Sequence, residues 1–493
     1  MVYVTATPEP GLGMSSFPTT VSPSGSAQTI SSTQLPLITA VANTDANRTH
    51  IVTAGESLFA IAQQYNTTID TLVELNQLSN PDVITVGQVL QVPAGATLVT
   101  PNLILLSDSR FAHGPESDLD VAAFMANQPG YAARVIEPIT HRRADGSSEI
   151  RFLSGAAIVE RVSLETSVDA RLLLSMLEYR AGWLSNPSPQ ELSFPLVSED
   201  ASPGIDREGL YRQLSWAANE LNRGYYGWKY DSWREMDFAD GPRIQFDTSL
   251  NSATVAIHYM LHLNRAPGEW LRDISPEGWA ATYTRLFGGQ LGVSNPIVVQ
   301  NPPNLALPYS RGETWFFTGG PHGGWGSGSA WAALDFAPPD ERPTDTLCFI
   351  SRFPALSVAD GVIARSADGV VVLDLDGDGD ERTGWTILYL HLNSATAVGT
   401  GQRVSTGDVI GYPACEGGFS TATHLHIGRR FNGEWIPSDC AACTGGSRFS
   451  FSMSGWVSEG LPGQEYQGSL RKGSDVRVAE QASDNPINQV TND

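Results

Sequence analysis

The sequence predicts a multidomain fold: a small βααβ module near the N-terminus, a mainly helical middle region, and an antiparallel all-β region towards the C-terminus. Three observations carry that expectation. The chain has 493 residues, and single hydrophobic cores stop growing near ~250–300 residues. Apolar residues recur at helical spacing through most of 100–300. From about 305 onward, short Val/Ile/Leu runs alternate with Gly, Asp and Asn turns, the pattern of paired strands.

Composition narrows the function. The formal net charge is −23, with 41% hydrophobic and 17% charged residues. Nucleic acid and anionic membrane are excluded as expected partners, because phosphate recognition needs clustered Lys and Arg. No stretch reaches the ~18 apolar residues a membrane span requires; the longest early run, 35–42, is broken by Thr39. The opening MVYVTATPEPG lacks a basic segment followed by an apolar one, so no signal peptide is visible. Cys348, Cys415, Cys440 and Cys443 all fall in the C-terminal third. That clustering predicts one or two disulfides and an oxidising, extracellular setting. A four-thiolate zinc site is the alternative, weakened by the presence of only one C-x-x-C.

Residues 1–47 are rich in Ser, Thr and Pro with almost no charge, and read as a disordered linker. In 48–95, a strand at 50–52 precedes apolar positions Leu58, Ile61, Ala62 and Tyr65 at helical spacing. Thr67 and Asp70 form a capping-box-like start to a second helix carrying Ile69, Leu72, Val73 and Leu75. A second strand, Val89–Val92, closes the unit. This stretch resembles a LysM domain along its length, through Gly55, Ser57, Leu58, Asn76, Pro81, Ile84, Gly87 and Pro93. The resemblance implies binding of N-acetylglucosamine-containing glycans such as peptidoglycan, between the loops at 55–58 and 80–84. Gly55, Glu56, Ser57, Leu58, Asn80, Pro81 and Ile84 are the candidate contacts.

In the middle region, 100–300, SVDARLLLSMLEYRAGWL places Leu172, Met176 and Tyr179 on one helix face. Glu178 sits among apolar residues and is followed by Arg180-Ala181-Gly182-Trp183. This is similar to the first catalytic helix of lysozyme-like transglycosylases, which implies a general acid kept protonated by apolar surroundings. The family's Glu-Ser-Gly is replaced here by Glu178-Tyr179-Arg180, and an ion pair with Arg171 or Arg180 is the other reading. His258 and His262 share a helix face without an intervening acid and read as packing histidines.

The β-region, 305–470, holds four of the nine histidines. His322 lies in a Gly-rich segment, Asp335 heads DFAPP, His391 lies in LYLHL, and His424 and His426 lie in THLHIGRR. Residues two apart on a strand face the same way, so His424 and His426 point together while Leu425 points away. By the same alternation, His391 shares the face of Tyr389. Catalytic zinc takes three protein ligands and a water, and His322, Asp335 and His426 supply two imidazoles and a carboxylate. His391 and His424 are left to move protons. These motifs resemble the lysostaphin-type zinc endopeptidases, which implies that His322, Asp335 and His426 hold zinc and that His391 and His424 are the catalytic pair. Asp335 follows His322 by thirteen positions, more like the β-lytic/staphylolysin branch than lysostaphin's shorter H-x-x-x-D. Asp374, Asp376 and Asp378, with Asp380, match the opening of a calcium loop, but Trp385 stands where a twelfth-position Glu belongs. The loop is a structural calcium site or a solvated acidic turn. Residues 471–493 read as a disordered tail.

The expectation is thus an extracellular or wall-associated zinc endopeptidase cutting peptides of peptidoglycan, anchored by its LysM domain. A wall-binding or regulatory protein with an inactive peptidase fold is the first rival. A dual enzyme using Glu178 on glycan is the second.

Overall fold

A computed structural model describes residues 39–41, 48–52 and 56–493, apart from 66, 68, 79, 81–82, 86, 93–96, 200–203, 231–232, 239–242, 290, 301, 342, 344–345, 440–449 and 482–484. Cys440 and Cys443 therefore lie outside the described residues, as do Gly55 and Pro81.

The N-terminal module forms as expected. Strand Arg48–Ile51 pairs antiparallel with Val89–Val92, and helices Leu58–Gln64 and Ile69–Asn76 fill the connection. Val52, Leu58, Ile61, Leu72, Leu90 and Val92 make its core. Asn76 ties helix to strand, its amide donating to the Leu72 carbonyl and its oxygen accepting from Gln91 N–H. The expected linker 1–47 is not wholly without structure: Thr39–Val41 pairs with Thr97–Val99, which runs parallel to Arg243–Gln245. The segments on either side of the module are thus hydrogen-bonded into one small sheet with the middle region.

The middle region is built on the helices Gly155–Thr166, Ala170–Ala181, Leu210–Lys229 and Ser252–His262. It is not helical throughout. Ile136–Arg142 and Ser148–Ser154 form an antiparallel hairpin. Its turn carries Asp145-Gly146, with Gly146 at φ +81°. An Asp-Gly pair between alternating residues is a hairpin signal, overridden in the sequence reading by the helical periodicity around it.

Strands of the C-terminal region make a nine-stranded antiparallel sheet, with Trp385–Leu390, Leu425–Phe431, Ala333–Ala337 and Thr314–His322 adjacent in that order. The last residues are ordered: Gln489–Thr491 pairs with Thr314–His322, and Asp475–Val478 pairs with Gln464–Lys472. Val490 is fully buried, and the Tyr309 hydroxyl donates to its carbonyl at 3.0 Å. A buried apolar side chain in a polar tail anchors it to the sheet.

The sheet's two faces have different partners. Val371, Leu373, Ile387, Tyr389, Leu425 and Ile427 pack on the region's own loops. Val370, Val372, Leu388, Leu390 and Trp435 join the core of the helical region. Polar contacts line that seam: Lys229 Nζ lies 2.7 Å from Glu434, the Tyr230 hydroxyl donates to Glu434 at 2.6 Å, and Trp435 Nε1 donates to the Thr166 carbonyl at 3.0 Å.

Beneath the seam, Glu381 accepts from Arg365 at 2.6 Å and from Arg430 at 2.7 Å. Burial alone would raise its carboxyl; the two guanidinium groups overcome that and bring it down to about 2 from 4.5. A depressed acid contributes stability that is complete above its unfolded value and is lost as pH falls through the folded one. The shift corresponds to about 3 kcal/mol. Glu381→Gln is therefore expected to lower denaturation midpoints at pH 7 and to flatten their decline between pH ~4.5 and ~2. Equal pH dependence of variant and wild type in chemical denaturation would refute this.

Candidate active site

The site is assembled by strand register. Asp335 and His426 are direct cross-strand partners, and His426 is also paired with Leu390 on its other side. Leu425 turns into the opposite core, as alternation requires. His322 ends its strand beyond a register shift between Ala333 and Asp335, and such a bulge re-aims the side chain that follows it. Gly319 lies against the carboxylate: a Cβ there would come within 2.5 Å of Asp335 Oδ2, so any side chain would displace the acid.

The three expected ligands converge. His322 Nε2 lies 3.0 Å from His426 Nδ1, and Asp335 Oδ1 lies 3.2 Å from each. The far nitrogen of each ring faces a backbone carbonyl: His322 Nδ1 that of Gly320 at 2.8 Å, and His426 Nε2 that of Gly324 at 3.1 Å. Carbonyls only accept, so those nitrogens donate, and the two inner nitrogens face each other and the Asp335 carboxylate. Asp335 Oδ1 is buried, and among the described residues no hydrogen bond of good geometry reaches it. Two imidazole nitrogens and a carboxylate oxygen packed this closely could hold one cation between them. Four tetrahedral ligands at ~2.0–2.1 Å from zinc are separated by roughly 3.3 Å, close to the observed triangle.

Electrostatics agree. Burial would raise Asp335, but the charge of His322, and then that of His424, holds it well below its ordinary value. Burial would lower His322, but Asp335 holds that imidazole above its ordinary value. For His426, burial prevails and lowers it.

His391 and His424 complete the cluster, with ring centroids 4.6 Å apart. His424 Nδ1 donates to the Ala422 carbonyl at 2.8 Å, and His391 Nδ1 donates to that of Glu416 at 3.1 Å. In both rings Nδ1 is thus engaged by backbone, and Nε2 is left for other partners. Burial, then the charges of His424 and His426, holds His391 well below its ordinary value, which favours its neutral form. Its position corrects the sequence reading. The strand ends at Leu390, and His391 has φ +67°. This conformation, uncommon for a residue with a side chain, takes the ring away from Tyr389, which packs in the opposite core, and towards His424 and His426.

Tyr466, not singled out in the sequence, stacks on His322 with centroids 4.3 Å apart. It lies just past a hairpin turn, with φ +67°. Its neighbour Glu465 accepts from Gly323 N–H at 3.0 Å. Neither residue is near the other site residues in sequence, and no local pattern marks them.

The other expected sites fare differently. Glu178 is buried, but its Oε2 accepts from Leu184 and Ser185 N–H at 2.9 and 3.1 Å, and Oε1 pairs with Arg285 at 3.0 Å. It clamps the turn after its helix, leaving no oxygen free to hold a proton towards substrate. Its ionic partner is Arg285, since Arg171 engages Asp118 and Arg180 donates to the Leu261 carbonyl. His258 packs edge-on to Trp270, with burial lowering it to about 3; His262 turns to the Tyr259 carbonyl. Asp374, Asp376 and Asp378 bring one oxygen each within 4.8 Å of one another. Asp380 is drawn off by Arg382 at 2.6 Å, and Asp374 accepts Gly377 and Gly379 N–H at 3.1 and 2.8 Å. Of the glycan candidates, Leu58 is in the core and Ile84 packs against it, so only their backbones can meet a sugar. Ser57 Oγ caps the first helix through Ala60 N–H at 3.2 Å, and Glu56 pairs with His50 at 3.0 Å; Asn80 is exposed. Cys348 and Cys415 form a disulfide.

If the triangle holds the metal, His426→Ala is expected to take bound zinc from about one equivalent to near none by elemental analysis of purified protein. Full retention would show that the ion is held elsewhere.

Comparison with known proteins places three matched stretches on this architecture. Residues 50–93 match the LysM domain, 104–300 the N-terminal domain of LasA, and 351–437 peptidase family M23. The last contains His391, His424 and His426, while His322 and Asp335 precede it. Protease LasA of Pseudomonas aeruginosa is 27% identical over 293 residues, covering 55% of this chain and 64% of its own length. Intracellular hyphae protein 1 of Colletotrichum lindemuthianum is 43% identical over 49 residues, 10% of this chain and 21% of that protein. Among solved structures, the deep-sea M23 metalloprotease pseudoalterin aligns at 20% identity over 36% of this chain and 95% of its own, with a TM-score of 0.28. A zinc-containing peptidase from Vibrio cholerae covers 79% of this chain and 98% of its own at 14% identity and TM-score 0.20. The helical region thus matches the LasA N-terminal domain.

Proposed function

We propose that this chain is a zinc-dependent endopeptidase that cuts peptide bonds in bacterial peptidoglycan and docks on the wall through its LysM domain, acting outside the cell. The observation that carries the reading is the orientation of four imidazoles. Each donates one N–H to a backbone carbonyl; the other nitrogens of His322, His424 and His426 face the buried Asp335 oxygen, and the His391 ring lies against His424 and His426.

His322, Asp335 and His426 would hold the zinc. When bound, zinc supplies Lewis acidity, lowering the pKa of a water towards ~7 and polarising a carbonyl. The chain's own groups do the rest. His391 and His424 present Nε2 towards the same space, one to take the nucleophile's proton and pass it to the leaving amine, the other to donate to the oxyanion. Tyr466 covers one side of His322, which narrows the site and favours small residues such as Gly or Ala beside the cleaved bond. Similarity to Protease LasA and the match to peptidase family M23 support this reading.

The rival of an inert wall-binding protein is disfavoured by the filled ligand set, and the dual-enzyme reading by the donors that occupy Glu178. Zinc is the one metal this reading needs. The loop at 374–380 satisfies its carboxylates with its own amides and Arg382.

Zinc-loaded protein is expected to hydrolyse oligoglycine peptides and to leave peptides with bulky residues intact. His391→Ala and His424→Ala should each lower kcat by about 10²–10⁴ while zinc content stays unchanged. Wild-type activity surviving both substitutions, or no release of peptides from purified walls, would overturn the proposal.

A further inference from the structure

His391 takes its orientation from the carbonyl of Glu416, and Glu416 is held by the helical region. His391 Nδ1 donates to that carbonyl at 3.1 Å. The Glu416 carboxylate accepts Ser394 N–H at 2.9 Å, which ties it to the turn just after His391. On its other side runs the end of strand Ile136–Arg142. Cys415 N–H donates to the Ala144 carbonyl at 3.1 Å, and Gly417 N–H donates to the Arg142 carbonyl at 3.4 Å. Residues 142–144 thus lie as an added strand edge along 415–417, although more than 270 positions separate them in sequence.

One side chain of that edge has no role yet. His141 is 1% exposed, and neither ring nitrogen has a hydrogen-bond partner among the described residues. Its Nε2 lies 3.6 Å from Glu416 Oε1 and 4.0 Å from Asp368 Oδ1. A fully buried imidazole is costly without polar neighbours, and the nearer of its two carboxylates belongs to the residue that orients His391.

We infer that His141 is a positioning residue for the active site: acting through Glu416, it holds the carbonyl that fixes His391 in the Nδ1–H tautomer, so that the helical region completes the catalytic geometry of the β-region. The inference rests on the proposed peptidase function for its kinetic consequence and on geometry alone for its tautomeric one. Groups that orient a reacting imidazole change turnover more than binding.

The test uses full-length, zinc-loaded protein with nitrogen-15-labelled histidine, the His391 signal being assigned by its loss in His391→Gln. The wild type is expected to show His391 as the Nδ1–H tautomer, and His141→Ala a mixture of the two. With oligoglycine as substrate, His141→Ala should lower kcat by about 10–100-fold with KM changed less than about twofold. His141→Gln, which keeps a donor at the Nε2 position, should restore both readouts. An unaltered tautomer in His141→Ala, unchanged kcat, or failure of His141→Gln to rescue would overturn the inference. If the wild type cuts no peptide, the proposed function fails, while the tautomer of His391 still decides this inference.

Discussion

The structure turns on one constraint: a carbonyl oxygen can only accept. Gly320, Gly324, Glu416 and Ala422 each offer a carbonyl to the outer nitrogen of one imidazole, and that fixes one proton and the orientation of each ring. The inner nitrogens of His322, His424 and His426 then face a shared space that also holds the Asp335 carboxylate. Such a concentration of negative potential is unfavourable in a buried site unless a cation enters. The zinc reading, the proton-moving role of His391 and His424, and the tautomer argument for Glu416 all descend from that arrangement.

Rigid backbone delivers it. Asp335 and His426 are fixed by antiparallel register, which allows no gradual drift because a one-residue slip would turn both to the opposite face. His322 needs a bulge and His391 a left-handed backbone, so two of the five side chains reach the site through local departures from regular strand geometry. Sites assembled this way are precise because the surrounding sheet, buried on both faces, over-determines the strained positions.

Burial on both faces makes the helical region more than a passenger. It covers Val370, Val372, Leu388 and Leu390, the face that also carries His426, and its hairpin lies against the segment that orients His391. The two regions share a core and a polar seam through Glu434. The LysM module has its own small core and joins the middle region through the sheet formed by Thr39–Val41, Thr97–Val99 and Arg243–Gln245.

What the sequence determined by itself was chemistry and period. The H-x-H triplet, the upstream His322 and Asp335, the lone His391 and the βααβ module were legible because residue type and spacing of two or 3.6 are local properties. Local patterns also misled where distant contacts prevail. Glu178 was open to reading as a catalytic acid or as a partner of Arg171 or Arg180, because Arg285, its actual partner, lies over a hundred positions away. The final residues looked like a tail because a single Val490 carries their anchorage, and the hairpin at 136–154 was submerged in helical surroundings. Tertiary structure alone decided the face of His391, through one positive φ, the presence of Tyr466 on His322, and the approach of His141 to Glu416. Each of these depends on which long-range backbone groups are free to accept or donate, and that is settled only when the sheet closes.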